Sequence, residues 1–213
     1  MVRLLVVTAS GDSGRRRLQV PDVDTPLDPQ AGAPLGVFHV SVSSTPPPDG
    51  DAWIVTGGPG SIGYWDDELV VVSLPDRTSP KGAHPLVATA RPLSTEHPRV
   101  TGVVALRDLE VSTHDQDELV ELSVGAWDSF EAAFDATVLG LFRRSDTTGP
   151  EVRLLLVTRY ASLAVWEQSR AAVPARSGDL AEAGRRFRRR REITRRTRVR
   201  IGPLLAGAVM LHD

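Results

Sequence analysis

The sequence predicts an α+β protein in which a β-rich N-terminal region precedes a ferredoxin-like C-terminal domain. Three observations predict it. Short Val-rich runs separated by Pro, Gly and Asp clusters occupy residues 1–111. From residue 112 onward, strand and helix signals alternate. Their order (strand, helix, strand, hairpin, strand, helix) is that of half a ferredoxin-like unit, so the regions are placed at 1–111 and 112–213.

In the first region, β-branched content marks strands at Val2–Thr8, Val37–Ser43, Ala52–Thr56, Glu68–Leu74, Pro85–Ala90 and Val100–Leu106. Residues 9–35 and 44–50 are expected as loops, and no helix longer than two turns is expected here.

In the second region, Glu118–Val124 reads as a strand with Val120, Leu122 and Val124 on one face, ended by Gly125. Trp127, Phe130 and Phe134 then recur at helical spacing, with Asp128 and Glu131 favouring the N-terminal end of that helix. The β-favouring VLGLF and Gly140 break it near Thr137 and start a strand over Val138–Arg143. Residues Ser145–Pro150 close a hairpin onto Val152–Arg159, which is apolar on both faces apart from Arg153 and so reads as a central strand. Ser162 can cap a helix from Leu163 to about Ala171; a second helix, Leu180–Thr194, leads to the alternating strand Thr197–Ile201.

Composition narrows the function classes. With 213 residues, 41% hydrophobic and 24% charged, the chain suits a globular protein with a sizeable core. No apolar run approaches the ~18 residues of a membrane span, and the N-terminal apolar stretch is short for a secretory signal, so a cytoplasmic protein with no membrane partner is expected. The absence of cysteine excludes disulfides, thiolate metal sites and Cys nucleophiles. Residues 1–150 carry 11 basic and 21 acidic groups, whereas 151–213 carry 14 and 6, so the two parts attract. Ten of the 16 residues from Arg185 to Arg200 are arginine. A nucleic-acid surface would add stacking aromatics to such a run, and Phe187 is the one aromatic in it; a solvated helix face meeting acidic surface of the same chain or of a partner subunit is the favoured reading.

Three motifs invite catalytic readings. Thr56–Gly63 (TGGPGSIG) holds Gly58, Gly60 and Gly63 in the G-x-G-x-x-G spacing of an NAD(P)-binding loop. Only Tyr64–Asp67 separate it from the next strand, too few for the helix whose N-terminus receives a pyrophosphate, so a glycine-rich hairpin is expected. Gly11–Gly14 (GDSG) lacks the preceding His and Asp of a serine protease. His114, Asp115, Asp117 and Glu118 cluster as hard-metal ligands do, but alternate residues of an extended segment diverge, and no metal site or cofactor is expected.

The segments VLGLFRR and LLLVTRYASLAVWEQSR, with the positions Arg159, Tyr160, Ser162, Leu163 and Trp166, resemble the NIPSNAP-type members of the dimeric α/β-barrel group. ELVELSVGAWDSFEAAF resembles that family's first strand, Gly turn and first helix, although the helix is several residues shorter. The resemblance spans roughly residues 116–203 and implies ferredoxin-like units whose sheets pair into a barrel, hence a homo-oligomer. Relatives in the group include cofactorless monooxygenases, haem-handling proteins and members without established activity.

If the barrel has a cleft, its lining is expected from Trp127, Phe130, Phe134, Arg159 and Trp166, with His114 and Tyr160 as the candidates for proton transfer. Such a cleft suits a small, planar hydrophobic ligand. Two readings follow: a small-molecule-binding or oxygenase-like barrel protein, or a non-catalytic structural or interaction module. A solvent-connected cavity above ~300 Å³ with His or Tyr facing into it favours the first.

Overall fold

The computed structural model describes residues 35–206 apart from 48–50, 66, 76, 78–80, 93, 94, 97, 99 and 173–178. The expected strand Val2–Thr8 and the Gly11–Gly14 segment lie outside these residues, as does nearly all of the loop 9–35.

The described residues form eight strands and three α-helices in a revealing order. Four strands come first: β1 (Phe38–Ser43), β2 (Ala52–Gly57), β3 (Leu69–Ser73) and β4 (His84–Ala88). They are followed by β5 (Val103–Ser112), α1 (Gln116–Ala133), β6 (Ala136–Arg144), β7 (Glu151–Tyr160), α2 (Leu163–Ala172), α3 (Asp179–Ile193) and β8 (Thr194–Ala206). The strands close into one antiparallel barrel in the order β1-β3-β2-β8-β5-β7-β6-β4.

That order is two copies of one pattern. In the C-terminal half, β8-β5-β7-β6 places fourth, first, third and second strands side by side, the arrangement of a ferredoxin-like βαββαβ unit. The N-terminal half repeats it as β4-β1-β3-β2. There the chain passes from β1 to β2 and from β3 to β4 with no helix among the described residues of either connection. The halves join at two seams, β2 with β8 and β4 with β6, each uniting the second strand of one half with the fourth of the other. The sheet pairing expected between two copies is thus made within one chain, and closure leaves no sheet edge among the eight strands.

The barrel interior is packed. Phe38, Trp53 and Phe142 meet edge to face at centroid distances of 5.5, 5.2 and 5.7 Å, joining both halves at the centre. Around them lie Ile54, Val72, Leu86, Leu106 and Val157, all buried. Burying each such side chain contributes about 1.5–3 kcal/mol, and the ring pairs add about 0.5–1.5 kcal/mol each.

Two expectations for the C-terminal half are corrected. Glu118–Val124 is the start of α1, not a strand: Leu119, Val120, Ser123, Ala126, Trp127 and Phe130 are buried in one continuous helical stripe. The alternation in ELVELSV satisfies both periods over seven residues, and Gly125 does not break the stripe. It lies mid-helix with the Arg186 guanidinium of α3 directly over it, in the space a side chain would need. At 18 residues, α1 is therefore not short. The first strand of the unit is instead β5, which extends past Leu106 to Ser112 and pairs along its length with β7 and β8. Its charges are accommodated individually, Glu110 facing Arg153 across the β5–β7 ladder at 3.7 Å. Ser112 ends it and starts the turn Thr113–Asp115, accepting the Asp115 N–H at 3.2 Å.

The remaining strands fall where the β-branched runs place them. Thr56–Gly63 leads out of β2 into an antiparallel return through β3, with Gly57, Gly58, Gly60 and Gly63 all at positive φ. No helix follows it. Much of the arginine run is tied to its own chain: Arg186 to Glu182, Arg189 to Glu118, Arg195 to Glu151 and Arg200 to Glu68.

Candidate functional site

The outward face of the C-terminal sheet does not pack flush against its helices. Residues 103, 105, 107, 109 and 111 of β5 point away from the barrel interior, as do Leu154, Leu156, Thr158 and Tyr160 of β7. Helices α1, α2 and α3 lie over this face and enclose a cavity of about 750 Å³. The volume lies within the range of small-molecule sites.

Aromatic residues form much of its wall. Trp127 and Phe130 come from α1, one turn apart, Trp166 from α2, Phe187 from α3 and Tyr160 from the end of β7. Phe130 stands edge to face against Tyr160 at 6.2 Å and against Phe187 at 5.9 Å, so one ring ties α1 to β7 and to α3. The indole N–H groups of Trp127 and Trp166 are buried without an acceptor among the described residues. Arg91 reaches over Trp127 with its guanidinium 4.9 Å from the ring, held in a pair with Glu131 at 2.6 Å.

The polar equipment is concentrated on two walls. From β5, Arg107 donates to the Tyr160 hydroxyl oxygen at 3.1 Å, which leaves the phenol proton free to be donated elsewhere. From α3, Arg190 donates to Ser123 Oγ at 3.3 Å and lies 4.9 Å over the Phe187 ring. Desolvation, followed by the nearby Arg107 cation, pulls the Arg190 guanidinium down to about 10. At the rim sit the exposed Glu167, Arg170 and Arg191. Ile62 reaches the rim from the N-terminal half, because the glycine-rich loop bridges to β8 through mutual Ile62 and Ile201 backbone hydrogen bonds of 2.7 and 2.9 Å.

Of the residues named from sequence, Trp127, Phe130, Tyr160 and Trp166 converge on the cavity. Phe134 packs behind Phe130 at 5.3 Å and is not part of the lining. Arg159 alternates with Tyr160 along β7 and so faces away, bound to Asp135 at 2.5 Å and to the Thr101 carbonyl at 2.7 Å. His114 is exposed in the turn before α1, off the cavity. Among the described residues no three His, Asp or Glu side chains converge as a metal site would need, the His114–Glu118 segment included. Sequence reasoning missed Arg107, Arg190 and Phe187. The last two follow one another at i, i+3 within the arginine run, a spacing that places them on one helix face.

No protein-family model matches the chain, and no curated protein sequence does. Solved structures do. A ferredoxin-fold protein of Listeria monocytogenes, described as related to antibiotic biosynthesis monooxygenases, superposes with a TM-score of 0.50 at 6% identity, covering 82% of this chain and 96% of its own. A proposed monooxygenase of Lactobacillus acidophilus gives 0.48 at 8% identity, over 83% and 97%. Another from Fusobacterium nucleatum gives 0.42 at 8%, over 82% and 78%. The chain is thus similar to ferredoxin-fold proteins along most of its length, and its fold is the α+β, ferredoxin-like one. Among the described residues no helix is long and apolar enough to cross a membrane.

Proposed function

We propose that this protein binds a small, largely planar organic molecule in the cavity between the C-terminal sheet and α1–α3, and that it acts on that molecule in the manner of an oxygenase-like barrel protein. The observation that carries the reading is the cavity of about 750 Å³ with Tyr160 on its wall. A purely structural module would gain stability by filling that volume, so the open space supports a ligand site over a packing interface. In this reading the indoles and phenyl rings bind the body of the ligand and Tyr160 presents the phenol that donates to it. The finer resemblance to NIPSNAP-type proteins is part of the proposal. It is supported by the strand ending in Arg159 and Tyr160 and by Ser162 Oγ, which accepts the Val165 N–H at 3.3 Å and caps α2. Self-association belongs to the proposal too, and with the barrel closed it would use the helix layer.

The test is a screen of planar aromatic compounds against the full chain by thermal shift, with hits confirmed by quenching of tryptophan fluorescence. Leu156→Trp, which fills the cavity from the sheet side, is expected to abolish binding while the chain stays folded by circular dichroism. Oxygen uptake with the hits, lost in Tyr160→Phe, would establish the catalytic part; hits that bind Leu156→Trp equally well would refute the site.

A further inference from the structure

We infer that the ligand is an anion: an aromatic molecule carrying a carboxylate-type oxygen group, seated between Arg107 and Arg190. The inference rests on the binding cavity proposed above and specifies the chemistry of its occupant.

The argument begins from two guanidinium groups on opposite walls. Arg107 rises from β5 and Arg190 descends from α3, both lining the same space. Among the described residues no carboxylate pairs with either one. Arg107 has the neutral Tyr160 oxygen as its partner, at 3.1 Å, and Arg190 the neutral Ser123 oxygen, at 3.3 Å. Each guanidinium has five N–H donors, so most of their capacity is uncommitted to these bonds.

The contrast with the other arginines of the same run is what gives this weight. Arg186, Arg189, Arg195 and Arg200 all have an acidic partner within 3.2 Å, although three of them stand at more exposed places where solvent could serve instead. The other arginines of the run without an acidic partner among the described residues, Arg188, Arg191, Arg196 and Arg198, are exposed to solvent, whereas Arg107 and Arg190 lack one at partly buried places near one another. Two like charges in a sheltered space repel, and Arg190 is held below the usual arginine range by desolvation first and by the Arg107 cation second. A negative group between them would relieve that repulsion and would meet the fork geometry that guanidinium offers to planar oxygen anions.

The entrance points the same way. Arg170 and Arg191 stand at the rim against one acid, Glu167, so the lining as a whole carries four arginines and one carboxylate. Such a mouth draws anions inward. The body of the ligand is set by the rings: Trp127, Phe130, Phe187 and Trp166 leave flat apolar surface beside the two cations. A phosphate alone would leave that surface empty, and a neutral hydrocarbon would leave both cations uncompensated.

The experiment compares 2-naphthoate with 2-naphthamide, which share ring and shape but differ in charge, by quenching of tryptophan fluorescence in the full chain at neutral pH. The acid is expected to bind at least about tenfold more tightly. In Arg107→Gln and Arg190→Gln the preference is expected to disappear, the ratio of acid to amide affinity falling to about one. Equal binding of the two compounds by the wild-type chain would overturn the anion inference and leave the cavity reading standing. Binding of neither would overturn the cavity reading and this inference with it. A preference for the acid that survives both substitutions would overturn the placement of the anchor. The wild-type comparison decides the charge question even if a variant does not fold.

Discussion

Arg107 and Tyr160 meet across adjacent strands, the guanidinium donating to the phenol oxygen at 3.1 Å on the cavity wall. The pair joins the cation of one strand to the hydroxyl at the end of the next, and it fixes the direction in which the phenol proton is available. Tyr160→Phe keeps the buried ring and removes only that oxygen. Stability is expected to fall by about 1 kcal/mol in urea unfolding, the net worth of one such bond. Ligand affinity or turnover is expected to fall more than stability does. Equal losses in both would mean that the hydroxyl serves packing alone.

The glycines of the β2–β3 loop provide a ranking. At Gly57, with φ of 131°, an added Cβ would collide with the Glu68 carbonyl oxygen; at Gly60, with φ of 80°, it would meet open space. Gly60→Ala is expected to cost about 1–2 kcal/mol from the left-handed backbone alone. Gly57→Ala is expected to cost more, since backbone must move. Chemical denaturation of the two variants checks the order.

Glu68 and Arg200 lie 3.2 Å apart with side chains only 8% and 13% exposed, and they tie the β2–β3 loop to β8. Glu68 also accepts the Trp65 N–H at 2.9 Å. Glu68→Gln leaves the arginine buried without its counter-charge and is expected to destabilise the chain by about 3 kcal/mol. Adding Arg200→Met is expected to recover most of that loss. A double variant no more stable than the single one, measured by thermal unfolding, would argue against the pairing.

At the β4–β6 seam, Asp146 accepts from Arg144 Nη2 at 2.9 Å and contacts His84 Nδ1 at 2.8 Å. The Arg144 hydrogen bonds above all hold its carboxyl down at about 2, below the ordinary 3.8. A depressed carboxylate stabilises the fold above its unfolded value and loses that contribution as pH falls from about 4 through 2. The site is partly exposed, so the effect is small, under about 1 kcal/mol. Wild type is expected to exceed Asp146→Asn in stability at pH 6, with the gap closing toward pH 2 in parallel denaturant titrations.

Much of the architecture is legible in the sequence because local signals and tertiary context agree there. Val138–Arg143 and Val152–Arg159 are short apolar runs on either side of a turn, and both are largely buried as strands of the sheet. The misreading of Glu118–Val124 has a physical cause: a short run can satisfy two periods, and the decision lies in the stripe's continuation to Phe130, beyond the window in which alternation is judged. β5 was cut short for the opposite reason, since Arg107 and Glu110 look like a strand's end until their partners on β7 are known. The aromatic half of the site follows from helical spacing. The cationic half follows only in part: the spacing from Phe187 sets Arg190, which faces the cavity, apart from Arg189, which pairs with Glu118, but no local pattern brings Arg107 of β5 to the same space.

The internal twofold character of the barrel has a stoichiometric consequence. Where two identical subunits build such a cylinder, every pocket comes in duplicate and every substitution strikes twice. Here, among the described residues, helices cover one half and the other contributes its strands and a loop bearing Ile62, so a saturating titration of this cavity should count a single occupant per polypeptide. A substitution in either half correspondingly acts once, without a twin to disturb.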